Sequence, residues 1–375
     1  MKPLESPLYI TKPLFVDLDM LQRELQDVWE SGWLTNNGFK HQRLEKILQE
    51  EVLRVQAVSL VTNATVGLLG VLKLFDLKGE VITTPFTFPA TAHAITWAGL
   101  TPVFCDIDPL TMNIDPHQIE KLITKDTSAI LGVHVFGHPC QVELIDRIAM
   151  EHGLKVIYDA AHAFELELNE KSIASFGDAS VFSFHATKLF HTGEGGLVVF
   201  SDPVQKKEFD ILKNFGIQNE SVLSCGLNFK MNELQAALGL VVLRAREEER
   251  KERMRVRKTY RDRLSQVVGI ALPPSNVHMN KESLQYFAIR ISRDASGVSR
   301  DTVWKRLRAL NIQTRRYFYP LCTEYPHYKV ADSRVMLPVS YQVVDEVLCL
   351  PFYGAITDNE VSFICEAIES VMKNP

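Results

Sequence analysis

The sequence predicts an α/β protein whose large domain holds a mostly parallel sheet between helices, with a smaller α+β domain at the C-terminus. Three observations carry that expectation. Short apolar runs alternate with helical patterns through the first two-thirds of the 375 residues. The runs are apolar throughout rather than alternating, as strands buried on both faces must be. From Asn232 the alternation gives way to one long helical stretch and then sparser elements, which places the boundary between residues 1–245 and 246–375.

In chain order, Leu21 to Trp29 and Gln42 to Leu53 have the spacing of amphipathic helices. Val58 to Val61 is a strand, and Ala64 to Phe75 the helix after it. Glu80 to Thr83, Pro102 to Asp106, Ala129 to Val135 and Lys155 to Tyr158 are further strands. Helices over Pro89 to Ala98 and Val142 to His152 separate them. The run Val81 to Cys105 carries no charge, but prolines, a glycine and threonines interrupt it, so it reads as buried strand, loop and helix rather than a membrane span. Ala179 to Phe184 and Leu197 to Phe200 are strands around a glycine-rich turn. After Asn232, the stretch R-A-R-E-E-E-R-K-E-R-M-R interleaves acids and bases, which suits a solvated helix face. Gln285 to Ile291 and Val347 to Leu350 are strands of the second unit, and Thr302 to Leu310 and Asn359 to Met372 its helices.

Composition narrows the function. A net charge of −5 leaves no basic footprint for nucleic acid. Six scattered cysteines without a C-x-x-C pair argue against a disulfide scaffold or a zinc ribbon and suit a reducing compartment. The first ten residues lack a signal-peptide core, so a cytoplasmic protein is expected. His134, His138 and Cys140 do not have a familiar zinc spacing, and no metal is expected.

In a parallel sheet functional groups gather at the carboxyl ends of strands. Thr62-Asn63, His134, Asp159 and Ser183 fall there. In S-F-H-A-T-K-L-F-H-T-G-E-G-G, Ser183 to Gly196, one lysine follows an apolar strand. A buried lysine loses its charge readily and becomes a nucleophile fit for Schiff-base chemistry; a lone lysine in a hairpin loop is otherwise a surface residue. Asp159 ends its strand inside Y-D-A-A-H-A, where it either caps the turn or pairs with a cation. Asn63-Ala64-Thr65 opens a helix directly after a strand, where main-chain N–H groups suit either a phosphate or ordinary N-capping. Phe88, in T-P-F-T-F-P-A-T, is an aromatic either for the core or for stacking on a ring.

Together with S-G-W-L-T-N-N-G (Ser31 to Gly38) and G-L-N-F-K-M-N-E-L-Q-A-A-L-G (Gly226 to Gly239), these motifs resemble the fold-type I enzymes that use pyridoxal 5′-phosphate (PLP). More narrowly, the chain resembles the DegT/StrS nucleotide-sugar aminotransferases along nearly its whole length. The resemblance implies that Lys188 and Asp159 are catalytic, Lys188 carrying the cofactor and shuttling a proton, Asp159 holding the pyridine nitrogen protonated. It implies cofactor contacts from Asn63, Ala64, Thr65, Phe88, Asp159, His162, Ser183, Lys188 and Asn228. Asn228 would come from the neighbouring subunit of a homodimer with shared active sites. Two departures stand out: His162 occupies a position where many relatives have glutamine, and Asn63-Ala64-Thr65 stands where Ser-Gly-Thr is common. Glu194, His185, Arg316 and His327 are the residues expected near the substrate. In R-R-Y-F-Y-P-L (Arg315 to Leu321), which resembles the family's segment at the substrate entrance, either Arg315 or Arg316 is the arginine for a glutamate carboxylate or a nucleotide phosphate. The pattern before the lysine favours amination at C4. The implied reaction moves an amino group from L-glutamate to a nucleotide-linked 4-keto-6-deoxy sugar, above all dTDP-4-keto-6-deoxy-D-glucose, for O-antigen or another surface glycan.

Overall fold

The computed structural model describes residues 1–274, 278–328 and 335–373. Its centre is a seven-stranded sheet of β1 (Ala57–Val61), β2 (Glu80–Thr83), β3 (Thr101–Phe104), β4 (Thr127–Val133), β5 (Lys155–Asp159), β6 (Ala179–Ser183) and β7 (Gly196–Phe200). The order is β1-β7-β6-β5-β4-β2-β3, with every neighbouring pair parallel except those of β7, which runs antiparallel to both β1 and β6. Successive side chains alternate between faces. Ile130, Val156, Tyr158 and Phe182 enter one buried cluster; Leu131, Ile157 and Val181 enter the cluster on the other side. Both faces are covered, which is why these strands read as unbroken apolar runs.

The main helices are α1 (Leu18–Ser31), α2 (Phe39–Ile47), α3 (Ala64–Leu74), α4 (Pro89–Trp97), α5 (Val142–His152), α6 (Pro203–Leu212), α7 (Glu233–Leu264), α8 (Arg300–Ala309), α9 (Pro338–Glu346) and α10 (Asp358–Lys373). The expected Gln42–Leu53 helix is α2 followed by a π-helical turn over Leu48–Val52. Helix α6 has the start signals of an aspartate cap, Asp202, and a proline in its first turn.

Helix α7 spans 32 residues without a break across positions 245 and 246. A reciprocal cap starts it, with Asn232 and Gln235 each bonding the other's main chain. Its charged stretch is not simply a solvated face. Arg253 and Glu249 are buried and joined at 2.6 Å, and Glu249 also accepts from the Gly354 N–H at 2.9 Å. A charge pattern that alternates in sequence leaves one helical stripe free to turn inward, provided each buried charge finds a partner.

The C-terminal region holds an antiparallel sheet of β8 (Ile270–Ala271), β9 (Phe287–Ile291) and β10 (Val347–Leu350), ordered β8-β9-β10. Helix α8 packs against β10, α9 against β9, and Tyr260 of α7 stacks on Phe287 of β9. Near the N-terminus, Leu8–Tyr9 pairs in parallel with Ile312–Gln313, a contact too short to leave a periodic signal. Among the described residues no helix is long and apolar enough to cross a membrane.

Candidate active site

A cavity of about 410 Å³ opens where the carboxyl ends of β1, β4, β5 and β6 meet the segment from Arg315 to Phe318 and Tyr286, just before β9. Asn63, Ala64, Thr65, Phe88, Asp159, His162, Ser183, His185, Lys188 and Glu194 all line it. Residues spread over more than 120 positions of sequence therefore converge on one chamber because parallel strands end at one edge.

Its electrostatics are unusual for a protein interior. Burial pulls the Lys188 amine down to about 8, only partly opposed by the Asp159 carboxylate. Burial pushes the Asp159 carboxyl above its ordinary range, even though Thr91 Oγ1 donates to it at 2.8 Å and the Ala161 N–H at 3.1 Å. Burial also holds the His162 imidazole neutral. His162 is stacked with Phe136 and Phe318 and meets Tyr286 edge-on, yet its Nδ1 has no hydrogen-bond partner. The Lys188 ammonium nitrogen lies 5.6 Å from the centre of the Tyr286 ring.

One end of the cavity is built by the start of α3. Its first N–H groups, on Ala64 and Thr65, have no acceptor within the helix, while Asn63 Oδ1 takes the Val66 N–H at 3.0 Å. Gly196 lets β7 pass close by: a Cβ there would lie 2.8 Å from the Ala64 nitrogen. Phe88 is more than half exposed and presents a free ring to the chamber. These features fit PLP. Burial holds the Asp159 carboxyl raised, and a protonated pyridine nitrogen would be the cation to pair with it. The His162 ring nitrogen is an orphan, Phe88 offers a stacking face, and α3 aims N–H groups at an anion.

The remaining expected residues lie elsewhere. Asn228 is exposed, paired through its main chain with Asn214, and does not line this chain's cavity. Arg316 turns outward, with Asp301 at 3.2 Å and its guanidinium 4.2 Å over Trp304 and 4.7 Å over Tyr319. Its neighbour Arg315 is the arginine at the cavity. His327 is exposed beside Tyr328, outside the cavity lining. His134 accepts from the Cys140 N–H at 3.1 Å, stacks on Tyr158 and is neutral, its pKa driven to about 3 by burial.

Sequence reasoning missed Thr91 and Tyr286, whereas Tyr317 and Phe318 fall in the Arg315 to Leu321 segment expected at the substrate entrance. Thr91 carried a signal, since it lies one helical turn after Thr87 in the motif around Phe88, on the face that meets Asp159. Tyr286 had none: it sits in an ordinary strand pattern about a hundred residues from Lys188.

Residues 18–369 match the family model of the DegT/DnrJ/EryC1/StrS aminotransferases. The chain belongs to that family. It is 40% identical to the dTDP-4-amino-4,6-dideoxy-D-glucose transaminase of Shigella dysenteriae, over 98% of this chain and all of that protein. The Escherichia coli protein of the same name is 42% identical, over 95% of this chain and 96% of its own length. The crystal structure of DesI with its TDP-sugar product superposes with a TM-score of 0.95 at 35% identity, over all of this chain and 95% of that one. As a member of this family the chain is a transaminase, and its cofactor is PLP.

Proposed function

We propose that this transaminase takes an amino group from L-glutamate and delivers it to C4 of dTDP-4-keto-6-deoxy-D-glucose, giving dTDP-4-amino-4,6-dideoxy-D-glucose. The observation that carries this reading is near-full-length identity of 40% and 42% with two transaminases named for that product. A GDP-linked 4-keto sugar is the competing substrate, because the GDP-perosamine synthase of Vibrio cholerae is 30% identical over 93% of this chain.

PLP, when bound, supplies an electrophilic aldehyde and an electron-withdrawing ring. The protein supplies the rest. Asp159 offers a fixed negative charge in a dry setting, where it holds a proton on a ring nitrogen more strongly than it would in water. Lys188 Nζ, with a pKa of about 8, exists partly as the free amine near neutrality and can both take and return a proton. The packed rings of Phe136, Phe318 and Tyr286 limit water. Arg315 stands at the cavity as a cation for the carboxylate of the donor or the diphosphate of the sugar. Around Asn228 the exposed side chains Phe215, Val222, Leu223 and Leu227 form an apolar face. That face supports a homodimer in which Asn228 reaches the other subunit's phosphate.

The test is an absorbance spectrum of the PLP-loaded protein before and after L-glutamate, followed by dTDP-, UDP- and GDP-linked 4-keto sugars with products weighed by mass spectrometry. The expected results are a glutamate-dependent loss of the visible band and an amino sugar from the dTDP substrate. Lys188→Ala should lack both the band and turnover. An unchanged spectrum with glutamate, or turnover of the GDP sugar alone, would overturn the reading.

A further inference from the structure

The main chain on both sides of Lys188 is held by one side chain. Gln285 Oε1 accepts the Leu189 N–H at 3.0 Å, and Gln285 Nε2 donates to the Thr187 carbonyl at 3.1 Å. Gln285 is only 4% exposed. One flank of the lysine needs an acceptor and the other a donor, and a primary amide is the group that offers both. That requirement also fixes which way the amide faces.

Gln285 is itself anchored from behind. The Leu284 carbonyl accepts from Arg253 at 3.1 Å, and Arg253 is held by Glu249, which ties to Gly354. Leu284 has φ +54°, a conformation uncommon for a residue with a Cβ, and the surrounding bonds are what maintain it. The next residue, Tyr286, lies under the Lys188 amine and against His162. The loop from Phe184 to Gly195 has its own bonds, Ala186 N–H to Gly193 O at 2.7 Å and Lys188 N–H to His185 O at 2.8 Å. The second of these holds the N–H side of the Thr187–Lys188 peptide, but neither takes the Thr187 carbonyl or the Leu189 N–H that Gln285 binds.

We propose that Gln285 is a positioning residue for the cofactor-bearing lysine: reaching over from just before β9, it fixes the peptides flanking Lys188 and so sets the direction of the amine. This rests on Lys188 as the residue that carries PLP, which Lys188→Ala tests separately through loss of the lysine-bound band. A correctly aimed amine must approach an aldehyde within about 3–3.5 Å, and small misplacements cost rate steeply.

The experiment follows PLP uptake by the PLP-free protein, as the growth of visible absorbance with time, between pH 6.5 and 9.5. Gln285→Leu keeps bulk without either bond and is expected to slow uptake at least tenfold, with a melting temperature close to that of the parent. Gln285→Glu keeps the shape and accepts from Leu189, but it sets an oxyanion against the Thr187 carbonyl, on the lysine's own peptide. Its uptake is expected to need higher pH, because a nearby negative charge favours the protonated amine. Parental uptake rates and pH profile in both variants would overturn the proposal. So would slowing that only tracks a fallen melting temperature in both variants. If Gln285→Leu does not fold, the pH shift of Gln285→Glu decides alone.

Discussion

Two cavities of nearly equal volume, about 410 and about 440 Å³, each hold a carboxylate and cationic groups. They treat the carboxylate in opposite ways. In the second, Glu45 meets Lys206 at 3.1 Å, His41 at 3.4 Å and the Leu60 N–H at 3.2 Å. Burial alone would raise its pKa, but the His41 hydrogen bond and the Lys213 and Lys206 ammoniums overrule it and bring the value to about 2. In the first cavity burial wins over Thr91, Ala161 and Lys188, and Asp159 stays raised. A structural carboxylate is given every partner it needs. Asp159 is left one cation short, and that deficit is what a cofactor with a basic ring nitrogen would fill.

The widest separation between the two carboxylates is expected in Asp159→Asn. The amide oxygen can still accept from the Ala161 N–H, while the amide NH2 turns toward the Thr91 hydroxyl as donor, and the charge is lost. Its kcat is expected to fall on the order of 10²–10³-fold, the effect of removing a preorganised electrostatic group. Stability of the PLP-free protein should hold or rise. A carboxyl whose folded pKa lies above its unfolded value is penalised when ionised at neutral pH, so removing the charge removes the penalty. Steady-state kinetics and urea unfolding measure both. A variant that loses stability while keeping its turnover would make Asp159 the structural carboxylate.

Glu45→Gln should do the reverse, leaving kcat near the parent and lowering stability by about 3 kcal/mol, from the gap between 4.5 and about 2. The pH dependence has a defined sign. A depressed folded pKa gives stability that is fully present above about 4.5 and is lost as pH falls toward about 2. Urea midpoints of the parent should therefore decline over that window, and those of Glu45→Gln should decline less. Equal slopes would mean that Glu45 is not the group whose protonation drives acid unfolding.

The same contrast explains what was legible in the sequence. The strand ends that carry Asp159 and Ser183 were visible because strands buried on both faces are continuous apolar runs, and the lysine stood out against one of them. Local signals also placed Asn63 before α3. By contrast, Tyr286 and Gln285 come from the C-terminal third. They reach the site only through the packing of that region, which no spacing records. The Arg315-Arg316 pair shows the limit well: two adjacent identical residues point to opposite surroundings, one to the cavity and one to Trp304 and Asp301. Buried charge in α7 escaped for a related reason, since Arg253 and Glu249 look like any solvated pair until the helix is placed.

The smallest expected effect belongs to Asn63→Ala, and it separates the two roles left open for the α3 N-terminus. The substitution removes the acceptor of the Val66 N–H, a loss of about 1 kcal/mol for an N-cap. In the PLP-free protein the full loss should appear in the urea midpoint. In the loaded protein a phosphate on the Ala64 and Thr65 N–H groups places negative charge at the same turn and takes over part of the capping, so the loss should shrink. An identical loss with and without PLP would return Asn63 to ordinary capping and move the phosphate away from α3. A shrinking loss would put the anion at the end of the cavity formed by Asn63-Ala64-Thr65.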